Sequence, residues 1–402
     1  MWQSLVKPYV QAGALTVVGV VQEQHPDRAR LYRQWRALDW PIFVDALNEL
    51  GVAAVPIAVA IDASGVVRAA SLRPSRLAHK FMELRYEPIE VADGYNRATA
   101  PDIPALQRTA RRDNTADAWR ALGDAWFITH GDGAMDRAVE AFERAVAVNP
   151  KDGRAQFRLG VALRRRSESV GHRPGDAQEA VRRWGLALAV DPNQYIWRRR
   201  IQQYGPRLDK PYNFYFWVDE ARAAVRARGD TPVTLAVEPL GSEIAPPDRG
   251  ATNQSAPTVP DPDPEGRLRR DAAHLVGIEP VVTPHRVRPG RRVRVRLTFR
   301  LDERTKPFWN NEYKGLVTSL VLPSGLSVTE SALRYPNAAR PETREVRVLE
   351  CEIAVGTAVA PGNLTLPAYA VYDVCENERG VCHHLRQDFS IVVHVDPSAP
   401  TG

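Results

Sequence analysis

The last third of the chain has the clearest pattern of apolar and polar positions. Between 291 and 300 the two classes alternate strictly. The apolar positions are Val293, Val295, Leu297 and Phe299, and the polar positions are Arg292, Arg294, Arg296 and Thr298. A period of two predicts an antiparallel strand with one buried face. The arginine side then favours a solvated outer face over a surface for nucleic acid or anionic lipid.

Strand-like runs recur at short intervals after this one. They occupy 316–323, 345–355, 364–374 and 389–395. This spacing predicts an all-β, immunoglobulin-like sandwich over 266–397. Within the second run, Cys351 alternates in phase with Leu349 and Ile353, so we expect it to be a buried core thiol.

A helical period replaces this alternation over 114–230, where two units share the phrases AFERAVAVNP and RWGLALAVDP. Small residues such as Gly123 and Gly160 permit close helix packing, and Phe142 and Trp184 fill the space between helices. The pattern resembles the tetratricopeptide repeat. That resemblance implies an all-α module that binds proteins, and two units need capping helices.

The segment at 195–227 is the predicted cap. It contains an aromatic cluster, which comprises Tyr212, Phe214, Tyr215, Phe216 and Trp217. Such clusters are more typical of a core than of a peptide-binding groove. The arginine run at 198–200 favours a solvated helix face.

The first 95 residues have an α/β pattern. Helices are predicted at 2–12 and 26–37, a buried strand at 14–21, and extended segments at 41–45 and 58–62. The run GVAAVPIAVAIDASGVVR at 51–68 resembles the thioredoxin-like family, in its TlpA-like and peroxiredoxin-related branches. By that resemblance, Val55 and Pro56 form a cis-proline pair that helps to bind the substrate or partner.

This segment departs from the family because it contains no cysteine. The family's CxxC motif and the central strand before it belong upstream of Trp2, so the domain is predicted to be truncated. Loss of that strand is expected to leave strand edges unpaired and apolar faces uncovered. We therefore expect Met1 to be an internal start or a fragment boundary.

Composition narrows the remaining function classes. The 402 residues carry a formal charge of +6 from scattered arginines, without the basic tract that indicates a nucleic-acid partner. Three cysteines without a CxxC exclude a disulfide scaffold and a zinc ribbon. Linkers are predicted at 96–113 and, from its Pro, Asp and Ser content, at 231–265.

The run YDVCENERGVCHHL at 372–385 concentrates the candidate chemistry. Cys375 and Cys382 lie near the two ends of a predicted hairpin loop, which brings their Cα atoms within disulfide range. Such a bridge is either a structural staple or a labile disulfide that exchanges with other thiols. Zinc or copper(I) is a weaker alternative, because CxxxxxxCHH matches no regular metal module.

The order of motifs from 270 to 396 resembles the N-terminal domain of the thiol:disulfide interchange protein DsbD. That resemblance implies that Cys375 and Cys382 are the redox pair and that Tyr372 lies beside them, where we expect it to contribute to partner binding. The proline-bearing segment of the family is replaced here by His383 and His384. We expect His383 to contribute to partner binding, and a nearby imidazolium would favour the thiolate.

The sequence thus predicts a multidomain thiol–disulfide relay protein that needs no cofactor. Its expected partners are a redox partner or client protein and a membrane-associated electron donor, with no nucleic acid. The alternative is a non-catalytic interaction scaffold. The literal sequence predicts a cytoplasmic protein, whereas the resemblances imply the periplasm and an upstream export signal.

Overall fold

The computed structural model describes residues 2–83, 100–129, 131–247, 261–328, 332–376 and 380–400. The chain forms two compact units that alternate along the sequence. The first comprises Met1–Val161, Asp191–Trp197 and Trp217–Val237, and the second comprises Ala162–Val190, Arg198–Phe216 and Glu238–Gly402. Helices and antiparallel sheets are both present, in agreement with the predicted mixed class.

The helices of the described residues are α1 (Trp2–Gln11), α2 (Pro26–Arg36), α3 (Ile103–Asp113), α4 (Ala116–Ile128), α5 (Ala134–Val148), α6 (Gly153–Ser167), α7 (Asp176–Val190), α8 (Tyr195–Gln202) and α9 (Val218–Ala227). Their strands are β1 (Gly19–Val21), β2 (Ile42–Val44), β3 (Ala60–Ile61), β4 (Val67–Ala69), β5 (Val276–Thr283), β6 (Arg292–Leu301), β7 (Phe308–Asn310), β8 (Val317–Leu320), β9 (Leu326–Val328), β10 (Ala332–Arg334), β11 (Glu342–Thr343), β12 (Arg347–Val355), β13 (Gly362–Cys375) and β14 (Cys382–Val395). Within the described ranges, every helix falls short of the length and apolarity that crossing a membrane requires.

Two small sheets form at the N-terminal end of the chain. Strand β1 pairs in parallel with β2, and β3 pairs antiparallel with β4. The predicted buried strand at 14–21 is wrong in length and burial, because only β1 pairs and Val20 is 45% exposed. Phe43 on β2 and Ile61 on β3 are also exposed, so apolar strand faces are uncovered in this part of the structure.

The linker predicted at 96–113 is wrong over its second half, where α3 forms. Asp102 caps this helix by accepting a hydrogen bond from the backbone N–H of Ala105 at 2.9 Å. Ala110 on its apolar side is fully buried and packs with Leu122 and Ala141. The prolines and arginines of this segment indicated a linker, although its apolar stripe is that of a helix.

The linker predicted at 231–265 is also ordered at its start. The side chain of Gln34 on α2 hydrogen-bonds the backbone of Thr231 and Val233, at 2.8 and 2.9 Å. Farther on, Ser242 and Glu243 are buried. Residues 248–260 of the predicted linker lie outside the described residues.

Helix α4 packs against α5 through the glycine that the sequence pattern singled out. A Cβ atom at Gly123 would lie 2.5 Å from the ring of Phe142, which is fully buried. The close approach of the two helices therefore requires glycine at this position. In the second unit, the buried Trp184 of α7 stacks on Tyr204, with ring centroids 6.3 Å apart.

Two antiparallel sheets share a large core in the second unit. One has the order β10-β8-β13-β7-β11, with β14 also paired to β13, and the other has the order β5-β6-β12-β9. Trp309, Leu297 and Ile353 are fully buried in the common core. The predicted strands all form here, and Cys351 is buried as expected and is not part of the disulfide.

The arginine stripe of β6 is not a solvated face, because acidic residues of β12 lie opposite it. Arg294 has only 2% of its side chain exposed and forms ion pairs with Glu350 and Glu352. Arg292 and Arg296 pair with the same two carboxylates at 3.6 and 3.5 Å. The sequence pattern located the stripe correctly, but it did not reveal the partner strand that neutralises it.

We expect Arg294→Ala to lower the free energy of unfolding by about 2–5 kcal/mol, because two carboxylates lose their buried partner. Arg292→Ala is the matched control on the same strand, and its half-exposed ion pair contributes about 0–1 kcal/mol. Urea unfolding followed by tryptophan fluorescence measures both. Equal losses of stability in the two variants would contradict the burial of Arg294 between Glu350 and Glu352.

Candidate redox site

The hairpin of β13 and β14 holds the two cysteines opposite each other. Fourteen residue pairs run from Gly362 and Val395 to Cys375 and Cys382 without a register shift. The two cysteines form a disulfide, with Cα atoms 3.9 Å apart. The adjacent pair is hydrogen-bonded, since the N–H of Glu376 donates to the Val381 carbonyl at 2.9 Å. The cysteines thus occupy a non-hydrogen-bonded pair, in which side chains are closest.

The two sulfur-bearing residues differ sharply in exposure. Cys375 is only 2% exposed, whereas Cys382 is exposed. Sheet order accounts for the difference, because the end of β13 also pairs with β7, where Phe308 lies opposite Cys375. Attack on a disulfide depends on access to the sulfur. Of the two, Cys382 is the accessible target.

Alternation along the hairpin divides its end into two faces. Tyr372 and Val374 point into the core, and the opposite positions of β14 share that face. Asp373 and Cys375 point the other way. We call this second side the cysteine face; it carries Asp373, Cys375, Cys382 and His384.

Tyr372 does not lie on the cysteine face. It is fully buried, and its hydroxyl donates to the Asp271 carboxylate at 2.7 Å and lies 2.8 Å from the amide oxygen of Gln387. Burial raises the pKa of the Tyr372 hydroxyl well above its usual range. The ring also meets Trp309 edge-on at 6.1 Å. The structure therefore gives this residue a core environment.

The two adjacent histidines have different environments. His383 lies opposite Val374, and its Nε2 atom is 2.9 Å from the Glu376 carboxylate. It thus belongs to the face opposite the disulfide. His384 lies opposite Asp373 on the cysteine face, and its Nδ1 atom is 2.7 Å from Oδ1 of Asp373.

Sequence reasoning proposed His383 and missed the Asp373–His384 pair. The available signal was the symmetric spacing of DxC and CxH around the loop. In a hairpin with the cysteines paired, positions two residues from each cysteine must also face each other on the same side.

The loop between β7 and β8 contacts the Asp373–His384 pair. The N–H of Gly315 donates to Oδ2 of Asp373 at 3.2 Å, and the Tyr313 ring meets His384 edge-on at 5.5 Å. Gly315 has a φ of 77°, which favours glycine. Burial raises the pKa of the Asp373 carboxyl, although the hydrogen bond with His384 and the charge of Lys314 act in the opposite direction.

No family model and no curated protein sequence matches this chain. Similar solved structures include the seventh ScaB type I cohesin from Pseudobacteroides cellulosolvens, at 11% identity and a TM-score of 0.20, covering 32% of this chain and 96% of that one. A type I cohesin–dockerin complex from Clostridium thermocellum has 14% identity and a TM-score of 0.18, covering 30% and 99%. Neither similarity supports an assignment of fold or function.

The metal alternative finds no ligand set among the described residues. No group of three or more histidine, cysteine or acidic side chains there could hold an ion. The cysteines are joined to each other, and His383 and His384 lie on opposite faces with separate carboxylate partners.

Val55 and Pro56 belong to the first unit, and their peptide bond is cis. Val55 is partly exposed, at 39%. The resemblance to the thioredoxin-like family stays a prediction. The partner-binding role of these two residues stays a prediction.

One face of the predicted repeat scaffold contacts the chain's own N-terminal residues. Arg158 of α6 pairs with Asp124 of α4, forms a 2.8 Å ion pair with Glu49 and donates to the carbonyl of Leu47 at 3.3 Å. Burial raises the pKa of Asp124 to about 7, against the opposing charge of Arg158. A partner bound by these helices would use another face.

The predicted aromatic cluster is only partly core. Phe214 and Tyr215 are buried, while Phe216 is exposed and Trp217 stacks on Trp35 at 5.7 Å in the first unit. The arginine run at 198–200 is not the solvated face we expected. Arg200 is buried within it.

We expect Tyr372→Phe to destabilise the protein by about 1–3 kcal/mol, because the buried Asp271 carboxylate loses a donor. The exposed Tyr313→Phe should change stability by less than about 0.5 kcal/mol. Urea midpoints compare the two variants. Unchanged stability in Tyr372→Phe together with weakened partner binding would instead support the surface role that the sequence predicted.

Proposed function

We propose that this protein exchanges thiols and disulfides with partner proteins through the Cys375–Cys382 pair. The observation that carries the proposal is the asymmetry of the bridge, with one exposed and one buried cysteine at the end of a long hairpin. The resemblance to the DsbD N-terminal domain supports the same chemistry, as does the partner role implied for the helical repeats.

In the reductive direction, a partner thiolate attacks Sγ of Cys382. A new S–S bond forms to the partner as the Cys375–Cys382 bond breaks, and the electron pair passes to Sγ of Cys375. The partner's second thiolate then attacks the mixed disulfide, which releases Cys382 as a thiolate. The pair gains two electrons, and the partner dithiol becomes a disulfide.

When the reduced cysteine pair acts on a client protein, the same steps run in reverse. The Cys382 thiolate attacks a client disulfide, and the Cys375 thiolate resolves the mixed disulfide that forms. The client gains two electrons, and the Cys375–Cys382 bond is restored. We place this exchange in an extracytoplasmic compartment with a membrane-associated electron donor, because disulfides persist mainly in oxidising environments.

A redox titration in glutathione buffers tests the proposal. Alkylation and mass spectrometry follow Cys375 and Cys382, with the buried Cys351, which lies outside the disulfide, as an internal control. A midpoint between about −120 and −270 mV is expected, since exchange proteins occupy this range. A pair that stays oxidised below about −300 mV would be a structural staple.

The two single-cysteine variants separate the roles of the sulfurs. Cys375→Ser should retain an exposed Cys382 that forms a mixed disulfide with oxidised glutathione at least about tenfold faster than Cys382→Ser does through Cys375. Quenched time courses analysed by mass spectrometry give both rates. Equal rates, or faster reaction at Cys375, would contradict the assigned roles.

A non-catalytic interaction scaffold is the second candidate. It is favoured by the distribution of thiols, because residues 1–350 contain no cysteine. Replacing both Cys375 and Cys382 by Ser distinguishes the candidates. The scaffold predicts unchanged partner binding and no disulfide reductase activity in the parent, whereas the exchange protein predicts activity that the double variant loses.

A further inference from the structure

The Asp373–His384 pair joins a buried carboxyl group to a partly exposed imidazole next to the disulfide. Asp373 precedes Cys375 by two residues on β13, and His384 follows Cys382 by two residues on β14. Both couples occupy non-hydrogen-bonded positions of the same ladder, one step apart on the cysteine face. The unbroken register therefore sets the imidazole beside the sulfurs.

The contacts of the pair also fix the orientation of the imidazole. Nδ1 of His384 is hydrogen-bonded to Oδ1 of Asp373, whose second oxygen accepts the N–H of Gly315. The Tyr313 ring packs edge-on against the imidazole. With Nδ1 bonded to the carboxylate, Nε2 is the nitrogen that exchanges protons elsewhere. Only 5% of the Asp373 side chain is exposed, so its charge acts on His384 in a partly dry environment.

We propose that His384 is the proton-handling residue of the Cys375–Cys382 exchange and that Asp373 positions it. This inference rests on the proposed function of the cysteine pair. When a partner thiolate attacks Cys382, the electron pair of the broken S–S bond passes to Sγ of Cys375. The His384 imidazolium gives its proton to that sulfur and becomes neutral imidazole. In the reverse direction the imidazole takes the proton back, which restores the Cys375 thiolate that resolves the mixed disulfide.

The charged groups around the couple favour this cycle. Among the described residues, the β7–β8 loop brings Lys314 near the Asp373 carboxylate and Tyr313 against the imidazole. Glu376 and His383 form their own pair on the other face of the hairpin.

The test measures the thiol reactivity of the intact protein after reduction with dithiothreitol. Iodoacetamide alkylation of Cys375 and of Cys382 is followed separately by mass spectrometry from pH 5 to 9. Because an imidazolium favours the thiolate, we expect His384→Gln to react about three- to tenfold more slowly than the parent below pH 7. The difference should shrink as the pH rises and the imidazolium loses its proton.

The same substitution should change the redox equilibrium. Loss of the cation destabilises the reduced pair, so the equilibrium constant for reduction by glutathione should fall by about three- to tenfold at pH 6. A tenfold change corresponds to about 30 mV for this two-electron couple. His394→Gln, on the same strand but paired with Asn363, is the matched control and should behave as the parent.

Three further variants keep the test decisive if His384→Gln misfolds. His384→Lys retains a cation that does not titrate in this range, so its reactivity should stay high above pH 8. In Asp373→Asn the imidazolium loses its counter-charge. The faster alkylation that the parent shows over His384→Gln should therefore disappear at a lower pH in this variant. His383→Gln should have a smaller effect than His384→Gln.

The results separate this inference from the proposed function. Identical pH profiles and equilibrium constants in the parent and the folded His384 and Asp373 variants would overturn the role of the pair, whatever the midpoint of the disulfide. A pair too stable to exchange, with reactivity that still depends on His384, would overturn the proposed function and leave the proton-handling assignment standing.

Discussion

The register between β13 and β14 determines which side chains lie on each face of the candidate site. A shift of one residue would exchange the two faces of the hairpin, turning Tyr372 and Val374 outward and the cysteines into the core. The core prevents such a shift, because Tyr372, Val374 and Leu385 are buried with the aromatic ring of Trp309. The apolar packing of one face therefore holds the cysteine chemistry of the other face in place.

In the same hairpin, Cys375 and Cys382 differ in solvent exposure although their side chains are chemically identical. Strand β13 is paired on both sides near its end, whereas the end of β14 is paired with β13. One sulfur is consequently covered and the other is open to an incoming thiol. The difference in exposure between the two cysteines thus follows from strand order rather than from any difference in the residues themselves.

Sequence analysis predicted much of the fold and a smaller part of the site. Alternation located the long strands, and helical spacing located the Gly123–Phe142 contact, because burial imposes those periods directly. The helix at Ile103–Asp113 was missed because its apolar stripe is short and lies among prolines and arginines. Asp373 and His384 were missed because their meaning depends on which strand lies opposite, and an isolated run of residues does not contain that information.

The buried charges between β6 and β12 also bear on how this chain can vary. Arg294 lies between Glu350 and Glu352, and each of these carboxylates also contacts another arginine. Replacing Arg294 alone would leave the two carboxylates without their buried counter-charge. Replacing all three residues together with apolar residues of similar volume would not. Substitutions at these positions should therefore be inherited together, and correlated changes between the two strands would mark the ladder in an alignment of related sequences.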